Sequence, residues 1–94
     1  MAGYVIVQVD VTDPAKYELY KPRVPATLKK YGGEFVVRGG AQECLEGSWL
    51  PRTVVIRFPS VEQARAWYDS DEYAAPKALR HSAATANLLI VEGE

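Results

Sequence analysis

Valine at every second position opens the chain. Val5, Val7, Val9 and Val11 alternate with Tyr4, Ile6, Gln8 and Asp10. A period of two predicts a strand from Tyr4 to Val11 with one apolar face and one face that turns polar along its length. The period then changes. In "TDPAKYELY", Thr12 or Asp13 can cap a helix and Pro14 suits its first turn. Tyr17, Tyr20, Val24, Leu28 and Tyr31 follow at near-helical spacing and form the stripe to be buried. Pro22 and Pro25 interrupt that stripe, which predicts a kink or break near Lys21–Pro25 and a second segment from about Pro25 to Tyr31. Gly32 and Gly33 end it.

Residues Glu34–Gly39 read as the second strand and Arg52–Phe58 as the third. Between them Gly40–Pro51 reads as a loop, with Gly40, Gly47 and Pro51. In the third strand Val54, Ile56 and Phe58 share one face, and Thr53, Val55 and Arg57 the other. Ser60 with Gln63 makes a capping box, and Val61, Ala64, Trp67 and Tyr68 form the inner stripe of the helix that follows. Ser70 and Asp71 mark a new short helix running through Tyr73 toward Leu79, and Ala86–Glu92 is the last strand. The order β-α-β-β-α-β, with two right-handed crossovers, predicts an α+β, ferredoxin-like domain: one four-stranded antiparallel sheet with its helices on one face. The other face carries Ile6, Val36 and Val55 with nothing in this chain to cover it, so a homodimer joined through the open sheet face is expected.

Composition narrows the function classes. The 94 residues carry 11 basic and 12 acidic side chains, a net charge of −1, with no basic cluster. That argues against nucleic acid as a partner. The opening "MAGYVIVQVDV" lacks a basic leader region and is too short to span a bilayer, so no membrane association is expected. Cys44 is the only cysteine, which rules out an intramolecular disulfide and fits a cytoplasmic location. One histidine, one cysteine and no ligand spacing give no metal site, and no phosphate-binding glycine loop occurs, so no cofactor is expected.

The segments "VTDPAKYELY", "KYGGEFVVRGG", "LEGSWLPRTVVIRFPS" and "ARAWYDSDEY" resemble the domain of unknown function 1330 family over about Tyr4 to Glu92. The resemblance implies a ferredoxin-like fold paired sheet to sheet as a dimeric α/β barrel. It also implies kinship with a superfamily of small cofactor-free enzymes that includes monooxygenases and muconolactone isomerases. The family's own chemistry is not established, so the resemblance bears on fold and assembly more than on reaction.

The candidate chemistry centres on Arg38, a cation that ends a short apolar strand and is followed by Gly39 and Gly40. Strict alternation pairs Arg38 with Val36 and sets both on the barrel side, with Gln8, Asp10, Thr53 and Arg57. There Arg38 and Arg57 would hold a small anionic organic ligand, with Gly39 and Gly40 offering backbone N–H groups and Asp10 serving as a base. The competing reading is a structural salt bridge from Arg38 to Asp10 or Glu46. Tyr20, Trp67 and Tyr73 are candidates to line a pocket mouth between helices and sheet. Glu46, Trp49 and Arg52 are expected at one barrel end or at the dimer contact, and Arg80 in a surface ion pair with Asp69 or Glu72. His81 reads as an exposed residue and Cys44 as an inert thiol beside acidic neighbours. The functional expectation is a small enzyme that moves a proton or oxygenates an anionic organic metabolite. The alternative is a homodimer that binds a ligand without turnover or is purely structural.

Overall fold

The alternation of the N-terminal valines is realised as strand β1 (Gly3–Val11), in which Val5, Val7 and Val9 are buried. The computed structural model describes all 94 residues. β1 lies at the centre of a four-stranded sheet of order β2-β3-β1-β4. Its neighbours β3 (Arg52–Phe58) and β4 (Ala84–Glu92) both run antiparallel to it, and β2 (Glu34–Arg38) runs antiparallel to β3. With the helices on one face, this is the ferredoxin-like arrangement expected from the element order.

The first crossover begins with α1 (Pro14–Tyr20), where the Asp13 carboxylate accepts from the Lys16 N–H at 3.2 Å. The prolines do not break the chain direction. Lys21–Arg23 tightens into a 3-10 turn and α2 (Val24–Leu28) continues from it. Each proline falls in the first turn of its segment, where its missing N–H has no partner to lose. The expected second segment therefore starts at Val24. A last 3-10 turn (Lys29–Tyr31) ends at Gly32, whose φ of 73° is the left-handed C-cap.

The second crossover is α3 (Val61–Tyr68) and α4 (Asp71–Ala83). Ser60 caps α3 through the Gln63 N–H at 3.1 Å. Ser70 joins the two helices: its hydroxyl donates to the Trp67 carbonyl at 2.7 Å and accepts from the Tyr73 N–H at 3.1 Å. α4 runs past Leu79 to Ala83, and β4 starts at Ala84, two residues before the expected Ala86. Trp67 and Tyr73 stack with centroids 4.1 Å apart, and Phe58 meets Trp67 at 5.5 Å. These aromatic rings and the β1 valines form the core between helices and sheet.

β2 departs from strict alternation. Phe35 faces Ile56 and Val37 faces Val55, so Val36 is an inserted bulge residue. Beyond the bulge Arg38 stands opposite Val54, on the helix side of the sheet. The expectation that Arg38 faces the barrel side is therefore corrected: one extra residue changes the parity of everything after it. The open face instead carries a row formed by Val37, Val55, Ile6 and Leu89, in direct register across all four strands.

Candidate functional site

A cavity lies between the helix layer and the sheet, walled by Val7, Val9, Val54, Ile56 and Leu88 below and by Tyr17, Tyr20, Val24, Trp67 and Tyr73 above. Its free volume of about 30 Å³ suits one or two waters, or a group the size of a carboxylate. Four cations border it, Lys21, Arg38, Arg52 and Arg80, and no carboxylate does.

The cations sit at graded depth. Arg38 is exposed; its guanidinium donates to the Lys21 carbonyl at 2.9 Å and lies 4.3 Å from the Phe35 ring centroid. It pairs with neither Asp10 nor Glu46, so the expected salt bridge is absent. Arg52 is half-buried, and its Nε donates to the Tyr17 hydroxyl at 3.1 Å. It therefore faces the pocket rather than the expected barrel end. Arg80 is only 5% exposed, and its Nε has no hydrogen-bond partner. The expected ion pair with Asp69 or Glu72 is not formed: Asp69 takes Arg65 at 2.6 Å, and Glu72 takes Lys30 at 3.1 Å and the Tyr31 hydroxyl at 2.9 Å.

Tyr20 and Tyr73, from α1 and α4, meet hydroxyl to hydroxyl at 2.7 Å. Burial is the main reason that both phenols are pushed above their ordinary range, while the charge of Arg80 acts in the opposite direction on each. Both therefore stay neutral near pH 7 and act as hydrogen donors. Trp67 is oriented from behind: its indole N–H donates to the Thr27 hydroxyl at 3.0 Å, which in turn donates to the Val24 carbonyl at 2.7 Å.

Of the residues singled out in sequence, the structure brings Arg38, Tyr20, Trp67 and Tyr73 to one cavity. Gln8, Asp10 and Arg57 lie on the opposite face: Gln8 between Thr53 and Asn87, Asp10 exposed beside Thr85, Arg57 exposed between Tyr4 and Glu34. The Gly39 N–H is taken by the Thr53 carbonyl at 2.9 Å, and Gly40 stands in open space, so neither offers a backbone donor to this cavity. Gly39 serves another purpose. With φ 69° it turns the chain, and a Cβ there would collide with the Arg52 guanidinium, so its missing side chain is what lets Arg52 lie against it. His81 is exposed as expected; burial, then the nearby Arg80 and Lys77 charges, lower its pKa. Cys44 is an exposed free thiol.

Arg52 and Arg80 were missed in sequence although both carried a signal. Arg52 shares the strand parity of Val54, Ile56 and Phe58. Arg80 falls in the stripe Tyr73, Pro76, Arg80, Ala83, the buried line of α4.

No curated protein matches the chain. Several solved structures share its fold. A protein of unknown function from Rhodopseudomonas palustris is 16% identical, with a TM-score of 0.80, covering 99% of this chain and 82% of that one. SnoaB, a cofactor-independent oxygenase from Streptomyces nogalater, is 14% identical with a TM-score of 0.68, covering 99% and 93%. A dimeric protein of unknown function and ferredoxin-like fold from Bacteroides fragilis is 12% identical with a TM-score of 0.66, covering 98% and 96%. At these identities the likeness is one of fold. The sequence itself matches one family over residues 2–94, and the chain belongs to it: the family described as Domain of unknown function (DUF1330).

Proposed function

We propose that the chain is a small enzyme that binds an anionic organic metabolite in the cavity between helices and sheet, and that it works as a homodimer. The observation that carries this reading is the wall of that cavity: aromatic and aliphatic surface, four cations and no carboxylate. Apolar walls with a few charged groups are the usual make-up of a small-molecule site. Glu18 pairs with Lys21 at 3.0 Å, but no carboxylate pairs with Arg38, Arg52 or Arg80, and that uncompensated positive charge selects for an anion.

The reaction class these groups support is stabilisation of an anion formed next to a carbonyl. The cavity wall supplies no base, so the proton would pass to solvent water, and the anion would then be reprotonated at another position or take up O₂. Tyr73, neutral and joined to Tyr20, would donate a hydrogen bond to the oxygen on which charge develops. The guanidinium groups would stabilise that charge. Asp10, Gln8 and Arg57 would then belong to the dimer contact, since they share the face with the Val37–Val55–Ile6–Leu89 row. Val37 and Leu89, the two ends of that row, are 38% and 53% exposed, too apolar a surface to leave in water across four strands. A cytoplasmic setting suits the free, exposed thiol of Cys44.

The test is a panel of small organic acids and their neutral amides, screened by thermal shift against wild type and Val54→Phe, which fills the cavity. Acids that raise the melting temperature of wild type alone support the site. Equal shifts in both proteins place binding elsewhere and end this reading. Each bound acid is then incubated with protein under air, and substrate loss, isomer formation and O₂ uptake are followed. The fold likeness to SnoaB makes O₂ uptake worth measuring beside isomerisation. Loss of turnover with retained binding in Tyr73→Phe marks an enzyme, whereas binding without any turnover in wild type favours a carrier.

A further inference from the structure

We infer that Arg80 is the anion seat of this pocket: a carboxylate, or an oxyanion of similar size, binds its guanidinium at the inner end of the cavity. The inference rests on the cavity being a ligand site, and it adds which group holds the charge and what ligand chemistry fits. Arg80 sits in the apolar stripe of α4, where an arginine is costly unless its charge is met. Nothing in the chain meets it. Asp69 and Glu72 are engaged with Arg65 and with Lys30 and Tyr31, and no carboxylate forms an ion pair with Arg80. The polar neighbours of Arg80 are the His81 Nε2, 3.3 Å from its Nη2, and the Tyr73 hydroxyl, and neither balances its charge. Its Nε is shut off from solvent without a partner.

A second donor borders the same cavity. Tyr20 and Tyr73 share a single hydrogen bond at 2.7 Å. Two hydroxyls have two protons, so one O–H remains free to donate. A guanidinium N–H and a phenol O–H together match the lone pairs of one oxyanion. The free volume of about 30 Å³ accepts that head group and not a whole metabolite. The ligand class is accordingly a monocarboxylate or comparable organic oxyanion that enters head first, its body reaching outward past the exposed Arg38.

The probe is acetate, with acetamide as its neutral counterpart. The readouts are the ¹⁵N–¹H resonances of the arginine Nε groups and the melting temperature of the full chain. Acetate is expected to shift the Arg80 Nε–H signal and raise the melting temperature, and acetamide to do neither. Arg80→Met should weaken acetate binding on the order of tenfold or more. It should also melt no lower than wild type without acetate, because an uncompensated buried charge has gone. An Arg80 resonance that stays still while those of Arg38 or Arg52 move overturns the seat and leaves the pocket reading standing. An undiminished acetate response in Arg80→Met overturns it in the same way. Should Arg80→Met fail to fold, the wild-type titration still decides. Acids that bind only outside the cavity, with no pocket resonance moving, end both readings.

Discussion

Arg38 faces Val54 across the β2–β3 ladder, and that pairing sends its guanidinium toward the Lys21 carbonyl instead of the open sheet face. The bulge at Val36 is the cause. Because Phe35 and Val37 already sit on neighbouring β3 partners, Ile56 and Val55, removing one valine would leave every other side chain on its present face. Deletion of Val36 is therefore expected to change stability by no more than about 1 kcal/mol. The Arg38 Nη–H signal should keep the chemical shift of its contact with the Lys21 carbonyl. A urea midpoint that collapses, or an Arg38 signal typical of free solvent, would show that the bulge does more than set parity.

Gly39 is a backbone position with little tolerance. Gly39→Ala must hold an L residue at φ 69° and displace Arg52. The backbone penalty alone is roughly 1–2 kcal/mol. Gly40→Ala, with nothing within 4 Å and no left-handed φ, should stay within about 0.5 kcal/mol of wild type. Denaturant midpoints of the two variants check the pair, and equal losses would count against the Arg52 contact.

The tyrosine pair should couple. Tyr20→Phe or Tyr73→Phe each leaves a buried hydroxyl short of its partner, a loss of about 1–3 kcal/mol. The double variant removes both and should lose less than the sum of the two. A double-mutant cycle on urea unfolding gives the coupling directly, and strict additivity would contradict the 2.7 Å contact.

The same pair governs behaviour in base. Burial raises both phenols above the ordinary value of 10.0, so the folded form keeps its protons where the unfolded chain loses them. Stability is then fully present below pH 10 and falls as pH rises above it, by up to about 1.4 kcal/mol per pH unit for each phenol. Tyr20→Phe/Tyr73→Phe should flatten that decline. An unchanged slope between wild type and the double variant would assign base sensitivity to other groups.

Ile6 and Leu89 are neighbours in the row on the open face, directly opposite each other. Ile6→Asp or Leu89→Asp should convert the proposed dimer to monomer in sedimentation without altering the circular dichroism spectrum. A dimer that survives both would locate the contact on another surface.

Much of the fold was legible in the chain. The β1 valines, the capping residues Asp13, Ser60 and Ser70, and the stop at Gly32 each act locally, so a short window reveals them. The helical break at Pro22 and Pro25 was legible as a disturbance; its form, a 3-10 turn that keeps the axis going, was not, because packing against the sheet decides it. The site was less legible. Val36 and Val37 are chemically the same, so alternation could not reveal which was inserted. Arg80 read as a surface charge because arginine on a helix commonly reaches solvent, yet its spacing from Tyr73 was that of the buried stripe. Tyr20, Trp67 and Tyr73 were found together since their rings belong to helical stripes that must meet the same sheet face.

The hydrogen bond from Arg38 to the Lys21 carbonyl ties the edge of the sheet to the 3-10 turn across the cavity, and an exposed side chain makes it. A bond of this kind contributes about 0.5–1.5 kcal/mol, so it is broken in roughly a tenth to a third of molecules at any moment. Exposed side chains change rotamer in picoseconds to nanoseconds. The Arg38 tie thus releases and re-forms many times during one diffusive encounter with a solute. It tightens the closed cavity without setting the rate at which a solute gains admission.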